Sequence, residues 1–233
     1  MHPVLYQTPW ITFYSYGFFV ALAVVVSLVI ATRRAEFAGL TRNELADLVF
    51  LLFLSGILGA RLFFVWQHFD EYRGRLWNIF FIQEGGLVWY GGFISAVIAG
   101  VLYAVFKKWR VLRLCDFFAP ILPLGQAIGR LGCFFNGCCY GRLQGAFRHP
   151  TQIYESAGLV GLSIYLFAKA HSKIHKKGGA LFVDYVLFYS FLRFVVEFFR
   201  GDQLPLFYLT LPQLMSLFLF LGMISLKKWR SLN

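Results

Sequence analysis

Gly129-Arg130-Leu131-Gly132-Cys133-Phe134-Phe135-Asn136-Gly137-Cys138-Cys139-Tyr140-Gly141 puts an arginine, an asparagine, four glycines and three cysteines into a run otherwise fit for a membrane core. Apolar stretches flank it on both sides. The chain of 233 residues is 59% hydrophobic and only 14% charged, with a mean hydropathy of +0.65. Soluble domains carry charge on nearly a quarter of their residues, so this composition describes an integral membrane protein. The formal net charge of +11 does not argue for nucleic acid. Nearly every basic residue lies between apolar runs, where it sets topology and meets lipid headgroups.

Crossing the hydrocarbon takes about 20 apolar residues in a helix. Runs of that kind lie near 14–32, 46–66, 86–106, 114–132, 151–168, 181–199 and 211–226. The expected fold is therefore an all-α integral membrane protein of about seven transmembrane helices, residues 1–233 forming one polytopic domain. One set of loops holds fourteen basic residues, including Arg33, Arg34, Arg42, Lys107, Lys108, Lys173, Lys176 and Lys177; the other holds five, Arg73, Arg75, Arg142, Arg148 and Arg200. The excess of positive charge marks the inner side. The C-terminus is then cytoplasmic and the N-terminus outside, and the central stretch falls at the outer leaflet. Met1-His2-Pro3 lacks the basic start of a cleaved signal peptide, so the first span is expected to be retained.

Polar residues inside these runs are costly and need partners. A charge at a helix centre costs about 2.5–3.5 kcal/mol on translocon scales. In the sixth run Tyr189, Arg193, Glu197 and Arg200 fall on a single stripe at helical spacing. Gln152 and Glu155 share a face of the fifth run, and Glu155 has no reason to be there unpaired. His149 and Pro150 open that run, with His149 near the N-cap. Arg61 in the second run should face the bundle interior or snorkel outward. Glu84-Gly85-Gly86-Leu87-Val88-Trp89-Tyr90-Gly91-Gly92 begins the third; its small residues, continued by Ala96 and Gly100, read as a packing seam. Tyr90 either offers a hydroxyl to a cavity or packs at the interface, and Tyr16 opens the first run. Glycines beside Arg130 and Asn136 predict that the fourth helix breaks there, leaving irregular backbone around a polar cavity.

Arg130 and Arg193 are suited to an anion in a low-dielectric site, since guanidinium keeps its charge and binds phosphate as a planar fork. Asn136, Tyr16, Tyr189 and Gln152 could donate to headgroup oxygens, with Glu155 and Glu197 holding the arginines. Cys133, Cys138 and Cys139 raise a rival reading, a membrane thiol–disulfide oxidoreductase. Against it, C-x4-C-C is not the spacing of most dithiol catalysts and vicinal cysteines close a strained ring. A zinc site from these thiolates and His149 is disfavoured, because no second C-x-x-C or His pair accompanies them. No metal and no cofactor are expected. A small transporter is disfavoured because no inverted repeat is evident.

Four motifs together resemble the prolipoprotein diacylglyceryl transferase family. They are G-G-x-x-x-Y-G-G from Gly85, G-R-x-G-x-F-x-N-G-x-x-Y-G from Gly129, H-P-T-Q-x-Y-E from His149 and Y-x-x-x-R-x-x-x-E-x-x-R from Tyr189. The resemblance implies a multi-pass protein of the bacterial inner membrane. It would move the diacylglyceryl group of phosphatidylglycerol to the lipobox cysteine in the signal peptide of a prolipoprotein, releasing glycerol phosphate. The partners it implies are those substrates and membrane lipids, with no nucleic acid. Carried over by motif, catalytic roles fall to Arg130, Arg193, Tyr189, Glu197 and Tyr90. Substrate contacts fall to Arg130, Asn136, Gly141, Tyr16, His149, Gln152, Glu155 and Arg200. Three positions depart from the family pattern: Tyr90 stands where many members have a histidine, Cys133 for a common asparagine and Cys138 for a common glutamate. A phenol with a reference pKa of about 10 is a poor base at neutral pH, so the arginine field is expected to favour the substrate thiolate, with His149 the weaker alternative as base.

Overall fold

The computed structural model describes residues 2–8, 12–74, 76–81, 85–145, 147–171, 178–201 and 208–232. Glu84 and the loop cations Arg75, Lys173, Lys176 and Lys177 lie outside the described residues. A helix stands at each of the seven expected runs. They are α1 Ser15–Ala38, α2 Arg42–Gln67, α4 Trp89–Phe106, the pair α5 Val111–Phe118 and α6 Ile121–Asn136, α7 Thr151–His171, α8 Ala180–Glu197 and α9 Leu211–Leu232. A single turn, α3 Phe69–Tyr72, follows α2. A short 3-10 helix, Leu76–Phe80, and two small antiparallel ribbons complete the described elements: β1 Val4–Gln7 with β2 Thr12–Tyr14, and β3 Leu143–Gln144 with β4 Phe147–Arg148.

Among the described residues four helices, α1, α2, α4 and α9, are long and apolar enough to cross a membrane, or five if α5 and α6, bent by 42°, form one span. Only 11–22% of the residues in those four are buried inside the protein. Faces this apolar would aggregate in water, but in a bilayer they meet lipid. The chain is thus a multi-pass helical membrane protein. Helices α7 and α8 are 21 and 18 residues long and bury Gln152, Glu155, Ser156, Ser163, Asp184 and Glu197, so polarity rather than length separates them from the other four.

The described residues form two compact units, Met1–Arg33 with Cys115–Asn233, and Arg34–Leu114. In the second, α2 crosses α4 at glycines. A methyl built on Gly91 would lie 2.7 Å from the Gly59 carbonyl oxygen, and one on Gly92 2.8 Å from that of Gly56, so the expected packing seam is real. Helix α4 begins at Trp89 rather than at Gly86, because Gly85 and Gly86 have φ of 85° and 79°, outside helical space. Arg61 faces inward and is 4% exposed. Its guanidinium donates to the carbonyls of Ile79 (2.8 Å), Gly85 (2.7 Å), Gly86 (3.2 Å), Asn78 (2.8 Å) and Phe81 (3.2 Å). Irregular backbone needs donors where water is scarce, and one arginine supplies five.

In the first unit, α6 packs on α7 and α7 on α8. The Ser156 hydroxyl donates to Ala127 O (3.0 Å) and the Ser163 hydroxyl to Pro120 O (2.7 Å), so the bend between α5 and α6 is sealed by a polar contact. Ala119, Leu162, Leu166, Leu181 and Tyr185 form a buried apolar cluster there. Farther along α8, buried Asp184 is clamped by Lys169 and by Lys227, the latter at 2.8 Å, which ties α7, α8 and α9 together.

Candidate active site

The expected break at Gly129 and Arg130 does not occur. Helix α6 continues to Asn136 and ends at Gly137, whose φ of 79° is left-handed. The amides of Gly137 and Cys138 both donate to Cys133 O, at 3.0 and 3.2 Å, a glycine-terminated cap. Within the helix, Gly132 serves close packing instead: a methyl there would lie 2.9 Å from Phe19 Cβ and 3.4 Å from Tyr16 Cδ2. Phe19 stacks on Phe135 with centroids 5.1 Å apart. Arg130 is therefore held on a regular helix, more rigidly than on a loop.

From Arg130 an ion-pair ladder runs across three helices. Arg130 Nη2 meets Glu155 Oε1 at 2.9 Å, Glu155 Oε2 meets Arg193 Nη1 at 3.4 Å, Arg193 Nη2 meets Glu197 Oε2 at 3.0 Å, and Glu197 Oε2 meets Arg200 Nε at 3.6 Å. The i, i+4 spacing on α8 places Arg193 and Glu197 on one face, and Arg200 follows just past the end of the helix. The side chains of Glu155 and Glu197 are 3% and 0% exposed, that of Arg193 13% and that of Arg130 21%. Three guanidiniums against two carboxylates leave one excess positive charge, and Arg130, at one end, is the most open of the three arginines. Burial this deep keeps the attraction strong, and the alternation compensates each desolvated charge.

Tyr189 is half-buried one turn before Arg193 and stacks on Tyr185 at 5.9 Å. Gln152, 2% exposed, donates its amide to Cys138 O at 2.7 Å, and the Thr151 hydroxyl donates to Cys139 O at 2.9 Å. His149 places Nε2 at 2.9 Å from Gln144 Oε1 and Nδ1 at 3.3 Å from the Tyr154 hydroxyl. Asn136 and Tyr16 are exposed, Tyr16 by 45%. Gly141 is a junction: its amide donates to His149 O (3.1 Å), the Arg142 amide to Phe199 O (2.7 Å), and Arg142 Nε to Arg200 O (2.9 Å). Tyr90 belongs to the second unit, where it is half-exposed and lies edge-on to Trp89 at 5.3 Å. All the expected site residues other than Tyr90 thus belong to the first unit.

Two supports escaped the sequence reading. Thr210 donates its hydroxyl to Glu197 Oε1 at 3.1 Å, while its amide and hydroxyl exchange hydrogen bonds with Gln213. Thr210-Leu-Pro-Gln213 carries the T-x-x-Q capping signature, so the signal was present. Tyr185 donates to Gln126 Oε1 at 3.1 Å, and these residues precede Tyr189 and Arg130 by four, on the same stripes. The three cysteines also converge, their sulfur atoms all within 4.8 Å of one another. Cys133 donates to Cys139, whose thiol is held well below its ordinary range, at about 5, with the charges of Arg200 and Arg130 adding to that effect against burial.

Fold and site together define a multi-pass membrane protein built round a buried ladder of arginines and glutamates. The chain belongs to the prolipoprotein diacylglyceryl transferase family, whose model matches residues 3–229. It is 32% identical to the phosphatidylglycerol–prolipoprotein diacylglyceryl transferase of Clostridium kluyveri, over 96% of this chain and 93% of that one. It is 34% identical to the protein of the same name from Geobacter sulfurreducens, over 94% and 91%, and 32% to that of Clostridium botulinum, over 93% and 92%. These likenesses give the oxidoreductase alternative no support.

Proposed function

We propose that this chain transfers the diacylglyceryl group of phosphatidylglycerol to the lipobox cysteine of bacterial prolipoproteins, forming a thioether and releasing glycerol phosphate. The observation that carries this reading is the ladder, with its single excess positive charge beside the partly open Arg130. One phosphodiester carries one negative charge. As the thiol sulfur attacks the glyceryl carbon, the carbon–oxygen bond breaks and its electron pair passes to the phosphate oxygen. Arginines already fixed in place stabilise that charge without reorganising, an effect of about 2.7–4 kcal/mol per donor in comparable sites.

In this reading Arg130 and Arg193 grip the phosphate, Glu155 and Glu197 hold them in position, and Arg200 closes the ladder. Tyr189, Tyr16 and Asn136 supply neutral donors to the headgroup, and the same cationic field favours the thiolate of the incoming cysteine. Gly141, His149 and Gln152 shape the wall above. Residues 1–233 form one domain of seven spans in the bacterial inner membrane, with the N-terminus outside and the C-terminus cytoplasmic. The lysines that clamp Asp184 then lie at the inner end of α8, where basic residues belong. The test is direct: purified protein with phosphatidylglycerol and a lipobox peptide should yield the thioether-linked peptide by mass spectrometry. Arg130→Ala and Arg193→Ala should each abolish it. Product formation at the wild-type rate by both variants would sink the reading.

A further inference from the structure

Cys133 ends a helical turn, Cys138 follows the left-handed Gly137, and Cys139 has a φ of 57°, a conformation few residues other than glycine adopt. The consequence is convergence: three thiols separated as C-x4-C-C have sulfur atoms within 4.8 Å of one another. A cation bound tetrahedrally at about 2.3 Å needs its sulfurs about 3.8 Å apart, so closure asks for adjustments of about 1 Å at most. The turn that carries them is anchored, since the carbonyls of Cys138 and Cys139 accept from Gln152 and Thr151 on α7. Soft thiolate donors select zinc-like and cuprous ions over calcium or magnesium.

Among the described residues no histidine, aspartate, glutamate or further cysteine joins the group. His149, the nearest candidate in sequence, has its ring nitrogens engaged by Gln144 and Tyr154. Structural zinc sites are closed by four protein ligands, whereas sites with three keep a position for an exogenous ligand. We propose that Cys133, Cys138 and Cys139 form an open three-thiolate site for a thiophilic divalent cation of the zinc class, whose fourth position is taken by an incoming substrate thiol.

A divalent cation with three thiolates carries one negative charge. Binding releases one proton from each cysteine that enters as a thiol, and a coordinated substrate thiol loses its own proton outright. Its sulfur keeps the electron pair that forms the new carbon–sulfur bond, and the thioether product, a poorer ligand, departs. The substrate half of the proposal rests on the transferase reading; the cation half does not.

Cobalt(II) is the probe, titrated into the full-length chain in detergent. The expected result is one equivalent bound, with sulfur-to-cobalt charge-transfer absorption and intense tetrahedral visible bands. These should vanish in C133S/C138S/C139S, weaken in Cys139→Ser and persist in Cys115→Ser and Arg130→Ala. A lipobox peptide should strengthen the charge-transfer band, and the same peptide with serine for cysteine should not. Absence of the bands, or their survival in the triple variant, overturns the site. Bands indifferent to the peptide, or undiminished thioether formation by chelator-stripped protein, overturn the fourth-ligand role. Intact bands without any thioether product from the wild type would instead defeat the transferase reading.

Discussion

Gly141→Ala isolates what the junction between α6, α7 and α8 contributes. A methyl at Gly141 would lie 2.6 Å from His149 Cβ, 2.9 Å from Phe199 O, and closer still to His149 O. Carbon contacts relax only near 3.5 Å, so the strands of the junction must part by about 1 Å. Both carbonyls in the way belong to backbone hydrogen bonds, Gly141 N to His149 O and Arg142 N to Phe199 O. Losing or stretching two such bonds costs about 1–3 kcal/mol at the usual net value for each. The helices themselves stay paired, so the fold should survive while Arg200 shifts on the ladder. Misplacement by about 1 Å can cost about a hundredfold in rate, and a drop of that order in thioether formation is expected. Gly145→Ala is the control, because Gly145 has a φ of 62° but nothing within 4 Å of an added methyl. It should show about 1 kcal/mol of backbone strain and wild-type turnover. Wild-type rate and melting temperature for Gly141→Ala would refute the reasoning.

Glu155→Gln leaves Arg130 and Arg193 facing each other without their shared carboxylate; removing one partner of a buried pair costs about 3–5 kcal/mol at full burial, less here because both arginines are partly open, and thermal unfolding in detergent should register the loss. Thr210→Val keeps the shape but removes the donor to Glu197 and the cap of α9, so a loss of about 1–3 kcal/mol is expected, with transfer reduced more than in a Thr210→Ser control. Arg61→Met strands five carbonyls in the second unit and should lower stability by at least about 3 kcal/mol, seen as a lower melting temperature; retention of wild-type stability would show that water reaches that segment. Gly91→Val drives a side chain into the α2–α4 crossing and should prevent stable expression, whereas Gly17→Ala, with open space around it, should be silent.

The helices were legible because hydrocarbon thickness imposes a length, and apolar runs near that length are hard to miss. The α8 stripe was legible because 100° per residue fixes which side chains align, and Glu155 because a membrane carboxylate demands a cation. What the sequence hid is tertiary. Gly129 and Gly132 read as helix breakers, yet α6 runs through both, since packing of Phe19 and Tyr16 against Gly132 outweighs a propensity cost of about 1 kcal/mol. The acceptors of Arg61 are main-chain carbonyls, which leave no trace in side-chain identity. The convergence of the cysteines depends on left-handed backbone at Gly137 and Cys139, and only the glycine announces it.

The alternation of the ladder answers two opposed demands. Three guanidiniums alone in a low-dielectric bundle would repel one another and remain poorly solvated. Three carboxylates would cancel them, leaving nothing for a lipid phosphate to neutralise. Two buried glutamates against three arginines leave one charge over, and the exposures place the opening at Arg130 rather than at Arg193, which two carboxylates share. Glu197 is the more deeply buried of the pair and carries Thr210 on its second oxygen, so the rigid end of the ladder is α8 and the receptive end is α6. A ligand phosphate therefore completes the charge pattern at the end where the chain has left it incomplete, and the energy of folding has already fixed the donors that meet it.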